Sequence, residues 1–190
     1  MENDPSRRGV TRVTQVCAAL NSTGAHYLVI GGMACVLHGY IRATKDVDIL
    51  IQRTLENARQ VLAALETIGY GFAREWSPEE VLRKPITIIG DDAAVDIFTV
   101  AWSVKYDDVI ARGATVEVEG VSIPLSGLDD LIATKRTGRP RDTADIEVLE
   151  EIKRVRGGER TGGLADKLAA SGSEGADRRT RRRPRRGRAP

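Results

Sequence analysis

The stretch Arg42–Ile51, RATKDVDILI, decides the fold and raises the main chemical question of this chain. Two carboxylates, Asp46 and Asp48, stand at the start of an apolar strand. Because a strand projects alternate side chains to opposite faces, both acids share one face with Leu50, and the intervening valine and isoleucines form a core face. Neighbouring acids repel each other and resist burial. The stretch therefore predicts either a bound divalent cation or a strand entry that is open to solvent.

The length and composition of the chain indicate one domain with some additional length. The chain has 190 residues, of which 41% are hydrophobic and only 4% aromatic, so the predicted core consists mainly of Val, Ile, Leu and Ala. No apolar run reaches the length of a membrane span, and the first residues lack the apolar stretch of a signal peptide. Cys17 and Cys35 lack metal-site spacing, which favours reduced thiols in a cytoplasmic protein that does not contact a membrane.

The net charge of +2 is divided unequally along the chain. Residues 1–156 carry 19 Lys and Arg against 23 Asp and Glu, whereas residues 157–190 carry 10 against 4. We expect a folded domain over 1–156 and a disordered basic tail over 157–190, because the tail has almost no apolar residue to bury. Its arginine-rich end, 178–188, is either a solvated terminus or an arm that contacts nucleic acid.

Helical and strand patterns alternate and then mix, which predicts an α/β (α+β) fold with a mixed β-sheet flanked by helices. Strands are predicted over 26–32, 46–52, 86–90, 94–100 and, as a pair turning near Gly120, 115–125. Helices are predicted over 9–24, 33–40, 54–69, 77–84, 103–113, 126–138 and 141–155. The strands at 86–90 and 94–100 are separated by three residues, 91–93, which predicts a hairpin.

Two further features give the acid pair a chemical context, since a lone D-x-D pattern is common by chance. Gly31 and Gly32 stand at a strand-to-helix turn upstream of Asp46, where the backbone can approach a ligand and its N–H groups favour an anion. Asp96 lies inside the apolar strand AVDIFTV, where a carboxylate is costly unless it is hydrogen-bonded or metal-bound. Three Asp beside such a turn predict a two-metal site for phosphoryl or nucleotidyl transfer with Mg²⁺.

The glycine pair followed by G-x-x-R-x-T-x-D-V-D-I-L over 39–50 resembles the nucleotidyltransferase superfamily of DNA polymerase β. The closing stretch 125–152, LSGLDDLIATKRTGRPRDTADIEVLEEI, resembles the AbiEii-type toxin branch of type IV toxin–antitoxin systems. The resemblance covers about residues 24–155 and implies a minimal nucleotidyltransferase fold.

The resemblance implies roles for the acids and the glycine pair. Asp46 and Asp48 would ligate Mg²⁺, with two ions in the site, and Asp96 would bind the catalytic ion and help to activate the acceptor hydroxyl. Gly31 and Gly32 would hold the triphosphate. The superfamily usually has serine where this chain has Gly32, so phosphate binding here would rest on backbone N–H groups.

The resemblance also implies nucleotide contacts from Lys135, Arg42, Thr44 and Asp142, the last of which matches the final polar motif. Several alternatives stay open at this point. Asp96 could cap a neighbouring turn, Lys135 could be a solvated helix lysine, and Arg42 and Thr44 could orient the D-x-D loop without touching substrate. Arg139, Asp142 and Asp145 could simply form ion pairs that join the last two helices.

The activity implied is Mg²⁺-dependent transfer of a nucleoside monophosphate from an NTP to a hydroxyl of RNA, such as tRNA, or of a protein, with release of pyrophosphate. The implied context is a bacterial toxin–antitoxin or phage-defence system with a cognate antitoxin. The alternative is a catalytically inactive nucleotide- or RNA-binding protein of the same fold. Gly32 and the absence of an additional helical domain in this short chain favour that alternative.

Overall fold

The computed structural model describes residues 5–90 and 94–157. Its six strands are β1 (Tyr27–Val29), β2 (Val47–Ile51), β3 (Ile86–Ile89), β4 (Val95–Phe98), β5 (Ala114–Val118) and β6 (Val121–Leu125). Its seven α-helices are α1 (Pro5–Ser22), α2 (Gly31–Leu37), α3 (Leu55–Thr67), α4 (Pro78–Arg83), α5 (Tyr106–Val109), α6 (Leu128–Thr134) and α7 (Pro140–Arg156). The predicted hairpin link at 91–93 lies outside the described residues, as does the predicted tail from residue 158 onward.

The described residues up to Lys153 form one compact unit. The unit that follows starts at Arg154 and is described only over its first four residues, in which α7 ends. No helix in the described part of the chain combines the length and apolarity needed to cross a bilayer.

The strands form one mixed sheet in the order β3-β4-β2-β1-β6-β5. The pairs β2–β4 and β1–β6 are parallel, and the other three pairs are antiparallel. The predicted mixed sheet with flanking helices is therefore confirmed, and so is the hairpin pairing of β3 with β4. The directions of the central pairs were not predictable, because buried strands of either orientation show the same apolar pattern.

This topology gathers the predicted site residues at one edge of the sheet. Strand β1 runs antiparallel to β2, so the glycine pair after β1 lies beside the beginning of β2, where Asp46 and Asp48 stand. Strand β4 runs parallel to β2, and in that register Asp48 lies directly opposite Asp96. Three segments that are distant in sequence therefore meet at the same place.

The two faces of the sheet are covered unequally. One face packs against α1 and α3 in the main core, which buries Val13 and Leu20 of α1 and Val61 and Leu65 of α3. The other face holds a smaller cluster around Leu50, built by the segment that follows β4. Apolar burial of this kind stabilises the fold by roughly 1.5–3 kcal/mol for each large side chain.

Local signals fixed several helix starts but not all of them. The predicted caps are confirmed: the Thr54 hydroxyl accepts a hydrogen bond from the Asn57 N–H, and Ser77 and Glu80 form a capping box. Helix α2 begins at Gly31, two residues earlier than predicted, and its first turn is tied to the D-x-D strand by the hydrogen bond from the Gly32 N–H to the Asp48 carboxylate. The predicted helix 103–113 is reduced to α5 and a 3₁₀ turn.

Candidate functional site

The two acids of the D-x-D pair differ in their surroundings. Asp46 is exposed, and its Oδ1 accepts a hydrogen bond of 3.3 Å from the backbone N–H of Ala94, next to β4. Asp48 is half-buried, and its Oδ2 accepts a 3.3 Å hydrogen bond from the backbone N–H of Gly32. The D-x-D pair is thus tied to β4 on one side and to the glycine pair on the other.

The backbone of the glycine pair lies against the Asp48 carboxylate. Gly31 has φ of +63°, a conformation that side chains rarely adopt, and a Cβ there would stand 1.9 Å from the Asp48 Oδ2. No side chain larger than hydrogen fits this position, for both reasons. The predicted close approach at the glycine pair is therefore an approach to an acid of the chain itself.

Gly32 is constrained by Thr44. A Cβ at residue 32 would stand 2.7 Å from the Thr44 hydroxyl oxygen and 3.1 Å from its Cβ. The Thr44 hydroxyl therefore occupies the space beside the glycine pair that a side chain at residue 32 would fill.

Burial and the charge of neighbouring acids raise the pKa of Asp48 and of Asp96. Burial, followed by the charge of Asp96, raises the pKa of Asp48 to about 6, although the Gly32 N–H and the Lys135 ammonium oppose the rise. Burial and the charge of Asp46 also raise the pKa of Asp96. The three acids therefore act on one another electrostatically, which is typical of carboxylates placed for a cation.

Lys135 is buried and lies in a network of ion pairs. Its ammonium is 2.9 Å from Asp145 and 3.5 Å from Asp142, and Arg42 pairs with the same Asp145 carboxylate. The alternative of a solvated Lys135 is therefore wrong, and the ion pairs that were left open as an alternative for Asp142 and Asp145 are present. Removing one partner would leave buried charges without compensation, so the network fixes α6, α7 and the D-x-D loop together.

Asp142 is also engaged within the chain. Burial raises its pKa, but hydrogen bonds from Thr137 and Arg139 and the charge of Lys135 outweigh burial, so the net pKa of Asp142 is lowered. Its carboxylate is thus ionised and holds the loop between α6 and α7 against Lys135. This arrangement suits a residue that positions Lys135.

Two arginines that sequence reasoning missed hold the D-x-D loop, residues 40–46, which has no regular secondary structure. Arg12 of α1 donates a 2.9 Å hydrogen bond to the Lys45 carbonyl, and Arg141 of α7 donates one of 3.0 Å to the Ala43 carbonyl. Arg12 stands in no motif, and the stretch that contains Arg141 does not indicate a contact with this loop, so only the fold reveals these contacts.

These elements enclose a cavity of about 800 Å³. Asp96 lies outside its lining, whereas Asp46, Asp48, Gly32 and Thr44 line it. The other charged lining residues are Asp142 and the basic Arg12, Arg42, Lys45, Lys135, Arg139 and Arg141. Six basic and three acidic lining residues leave a net charge of +3, or +2 when Asp145, which pairs with Arg42 and Lys135, is included, and this excess favours a polyanionic ligand.

Comparison with known proteins agrees with this geometry. The family model described as nucleotidyltransferase of unknown function (DUF6036) matches residues 10–156. The chain belongs to this family. The nucleotidyltransferase superfamily expected from the sequence is therefore confirmed, and no curated protein matches the chain.

Two solved structures illustrate the similarity. An antigenic nucleotidyltransferase-like protein from Paracoccidioides brasiliensis is 16% identical with a TM-score of 0.55, over 78% of this chain and 76% of that protein. The antibiotic-resistance factor ANT(2'')-Ia is 14% identical with a TM-score of 0.46, over 87% of this chain and 95% of that protein. At these identities the first likeness shows the fold alone.

The side chains of the site can be compared with the ligands that Mg²⁺ requires. Among residues 5–90 and 94–157, no group of three His, Cys, Asp or Glu side chains is arranged to hold a metal ion by itself. Mg²⁺ usually binds through one or two carboxylates together with substrate phosphates, and it does not require an all-protein cage. Asp46 and Asp48 beside a cationic cavity fit an ion that arrives with a nucleotide.

Proposed function

We propose that this protein is a Mg²⁺-dependent nucleotidyltransferase that transfers a nucleoside monophosphate from an NTP to a hydroxyl of RNA, such as tRNA, or of a protein. One observation carries the proposal: a single cavity combines the acids of the D-x-D pair with a net excess of basic side chains. Acids alone would repel a triphosphate, and basic residues alone would bind phosphate without placing a metal. Both together suit a metal–nucleotide complex.

The triphosphate would lie between the glycine pair and the basic side chains of the cavity. Its contacts would be the Lys135 ammonium, Arg42 and the backbone of the glycine pair, whose Gly32 N–H would turn from the Asp48 carboxylate to a phosphate oxygen. Thr44 would supply the hydroxyl that the superfamily usually takes from a serine at residue 32, since its oxygen stands where that side chain would be. Asp142 would act by holding Lys135 in position.

Asp46, Asp48 and Asp96 would hold the Mg²⁺ ions, two in number, which would neutralise phosphate charge and lower the pKa of the acceptor hydroxyl. The acceptor oxygen forms a bond to the α-phosphorus, the bond from that phosphorus to the bridging oxygen breaks, and pyrophosphate leaves. Asp96, with its raised pKa, would take the proton of the hydroxyl.

The biological setting that we propose is a cytoplasmic toxin–antitoxin or phage-defence system in bacteria, with a cognate antitoxin as partner. This part of the proposal rests on the resemblance of residues 125–152 to AbiEii-type toxins. The arginine-rich end at 178–188 would add phosphate contacts to an RNA acceptor.

The test is a pyrophosphate-release assay with each NTP in turn, bulk RNA or cell extract as acceptor, and Mg²⁺. We expect release with at least one NTP, label from that NTP on a macromolecule, and loss of both in Asp46→Asn. The matched control is Asp108→Asn, which removes an exposed acid from α5 and should retain activity. Equal activity in Asp46→Asn and the wild type would refute the assignment.

The second candidate is a catalytically inactive protein that binds nucleotide or RNA. It is favoured by one observation, namely that no three-acid group among the described residues is arranged to hold a metal ion. Calorimetry and the pyrophosphate-release assay together distinguish the two candidates, because the inactive protein would bind an NTP with Mg²⁺ and yet release no pyrophosphate with any acceptor.

A further inference from the structure

The sheet face that carries Asp48 and Asp96 continues into an exposed apolar surface. Ile88 of β3 lies opposite Asp96 and is 55% exposed, and Phe98 follows two residues after Asp96 on the same face. Phe98 lines a cavity of about 570 Å³ together with Trp102, which is 57% exposed. Contiguous exposed apolar side chains of this size mark a surface that binds a ligand or partner.

Trp102 occupies a backbone position that suits glycine. Ala101 and Val104 close a two-residue turn with reciprocal backbone hydrogen bonds of 2.9 Å. Trp102 is the first residue of that turn, with φ of +58°. Tight turns with positive φ at this position favour glycine, and a large aromatic residue there is an outlier. The turn itself therefore gives no reason for a tryptophan, whereas a binding role for the exposed ring does.

A basic cavity adjoins the apolar one. It has a volume of about 420 Å³ and shares Pro85 and Val100 with the cavity beneath Trp102. Its charged lining residues are Arg53, Arg83, Lys84, Lys105 and Asp107, all of them exposed. Four basic residues against one acid make a local positive surface on a domain whose residues 1–156 are net acidic.

We propose that these two cavities form one groove, lined by Phe98, Trp102 and the four basic residues, that binds single-stranded nucleic acid. Exposed aromatic rings stack with bases of any sequence, and adjacent basic side chains contact the phosphates. A neutral polypeptide would match the apolar part but not the positive charge. The charge complementarity therefore selects a polyanion that also carries flat rings.

The groove leads toward the acids. Phe98 lies roughly 7 Å from Asp96 along β4, since a strand rises about 3.4 Å for each residue. A strand of RNA whose base stacks on Trp102 or Phe98 would thus direct its terminal hydroxyl toward Asp96. This part of the inference rests on the proposed function and narrows its acceptor to RNA.

The test uses the full-length chain in the Trp76→Phe background, where Trp102 is the remaining tryptophan of the two in the chain. A single-stranded RNA of mixed sequence is titrated while Trp102 fluorescence is recorded. Polyglutamate of matched length is the control ligand, because it supplies negative charge without bases. We expect RNA to quench Trp102 and polyglutamate to leave its emission unchanged.

Binding of a labelled RNA strand is then measured for Trp102→Ala, with Phe72→Ala as the matched control, since Phe72 is a similarly exposed aromatic elsewhere, at 47%. We expect the dissociation constant to rise about tenfold for Trp102→Ala, as for one lost base stack, and to stay unchanged for the control. Trp102→Gly suits the turn and should show the same loss while folding normally. In Lys105→Ala, the slope of the logarithm of RNA affinity against the logarithm of salt concentration should fall by about one, as for the loss of one phosphate contact.

The proposed RNA-binding groove would be refuted if both Trp102 variants bound RNA with wild-type affinity, or if polyglutamate quenched Trp102 as strongly as RNA does. Calorimetry with NTP and Mg²⁺ keeps this outcome separate from the proposed function. Normal NTP binding with no dependence of RNA binding on Trp102 refutes the groove alone. Trp102-dependent RNA binding by a chain that binds no NTP supports the groove and refutes nucleotidyl transfer.

Discussion

The Asp48→Asn substitution tests whether Asp48 is retained for a ligand or for the fold. In the folded protein the pKa of Asp48 is raised from 3.8 to about 6, which corresponds to at most roughly 3 kcal/mol against folding once the group is ionised. Because Asp48 is only half-buried, we expect a net gain of about 1–2 kcal/mol for the amide at pH 8. The amide oxygen can still accept the hydrogen bond from Gly32.

The sign of the pH dependence follows from proton binding. Between the unfolded and folded pKa values the folded protein binds more protons, so the wild type loses stability as the pH rises from about 4 through 6. The variant has no ionisable group at this position and does not share this loss. The difference in the free energy of unfolding between Asp48→Asn and the wild type should therefore be about twice as large at pH 8 as at pH 5.

The assay is thermal unfolding with EDTA at both pH values, with Asp108→Asn as a control for the loss of an exposed acid. We expect Asp48→Asn to melt about 3–6 °C above the wild type at pH 8. Mg²⁺ together with the NTP should stabilise the wild type and not the variant. A variant that is less stable than the wild type at both pH values would refute the reasoning, because that is the behaviour of a structural carboxylate.

Three further outcomes are expected. Asp145→Asn removes the partner of two buried cations and should destabilise the fold by roughly 3 kcal/mol in urea, whereas an unchanged midpoint would contradict the ion network. Gly32→Ala should lower the melting temperature and weaken NTP binding, because the added methyl group collides with Thr44. The double variant Gly32→Ala/Thr44→Ala should regain stability but not NTP binding. Truncation after Gly157 should flatten the salt dependence of RNA binding and leave the melting temperature unchanged, and an unaltered salt slope would exclude phosphate contacts by the tail.

The parts of the fold that could be predicted from the sequence are those with local causes. The stripe of α1 from Val13 to Leu20 and the caps at Thr54 and Ser77 depend on neighbouring residues, and each is present. The first turn of α2 is tied to the Asp48 carboxylate, which approaches from another strand. Helix propensity depends on neighbouring residues only and does not include such a contact, so the predicted start of α2 was wrong by two residues.

The candidate site divides in the same way. The alternation of side chains along β2 and β4 predicted that Asp48 and Asp96 lie on the same face of the sheet. That the two acids are paired across the strands depends on the register of two segments that are distant in sequence. Arg12 and Arg141 reach the D-x-D loop across 33 and 98 residues of sequence. An arginine on a polar helix face carries no signal that distinguishes such a contact from solvation.

The D-x-D loop connects the site to both ends of the domain. It has no hydrogen-bonded secondary structure of its own, and arginine contacts hold it to α1 through Arg12 and to α7 through Arg141 and the Arg42–Asp145 pair. Asp145 also binds Lys135, so a displacement of α7 would move the loop and the lysine together. The cavity charge and the position of the acids are therefore set jointly by the first and last helices. Under the proposed function, a displacement of α7 would therefore weaken metal and phosphate binding together, without touching either acid.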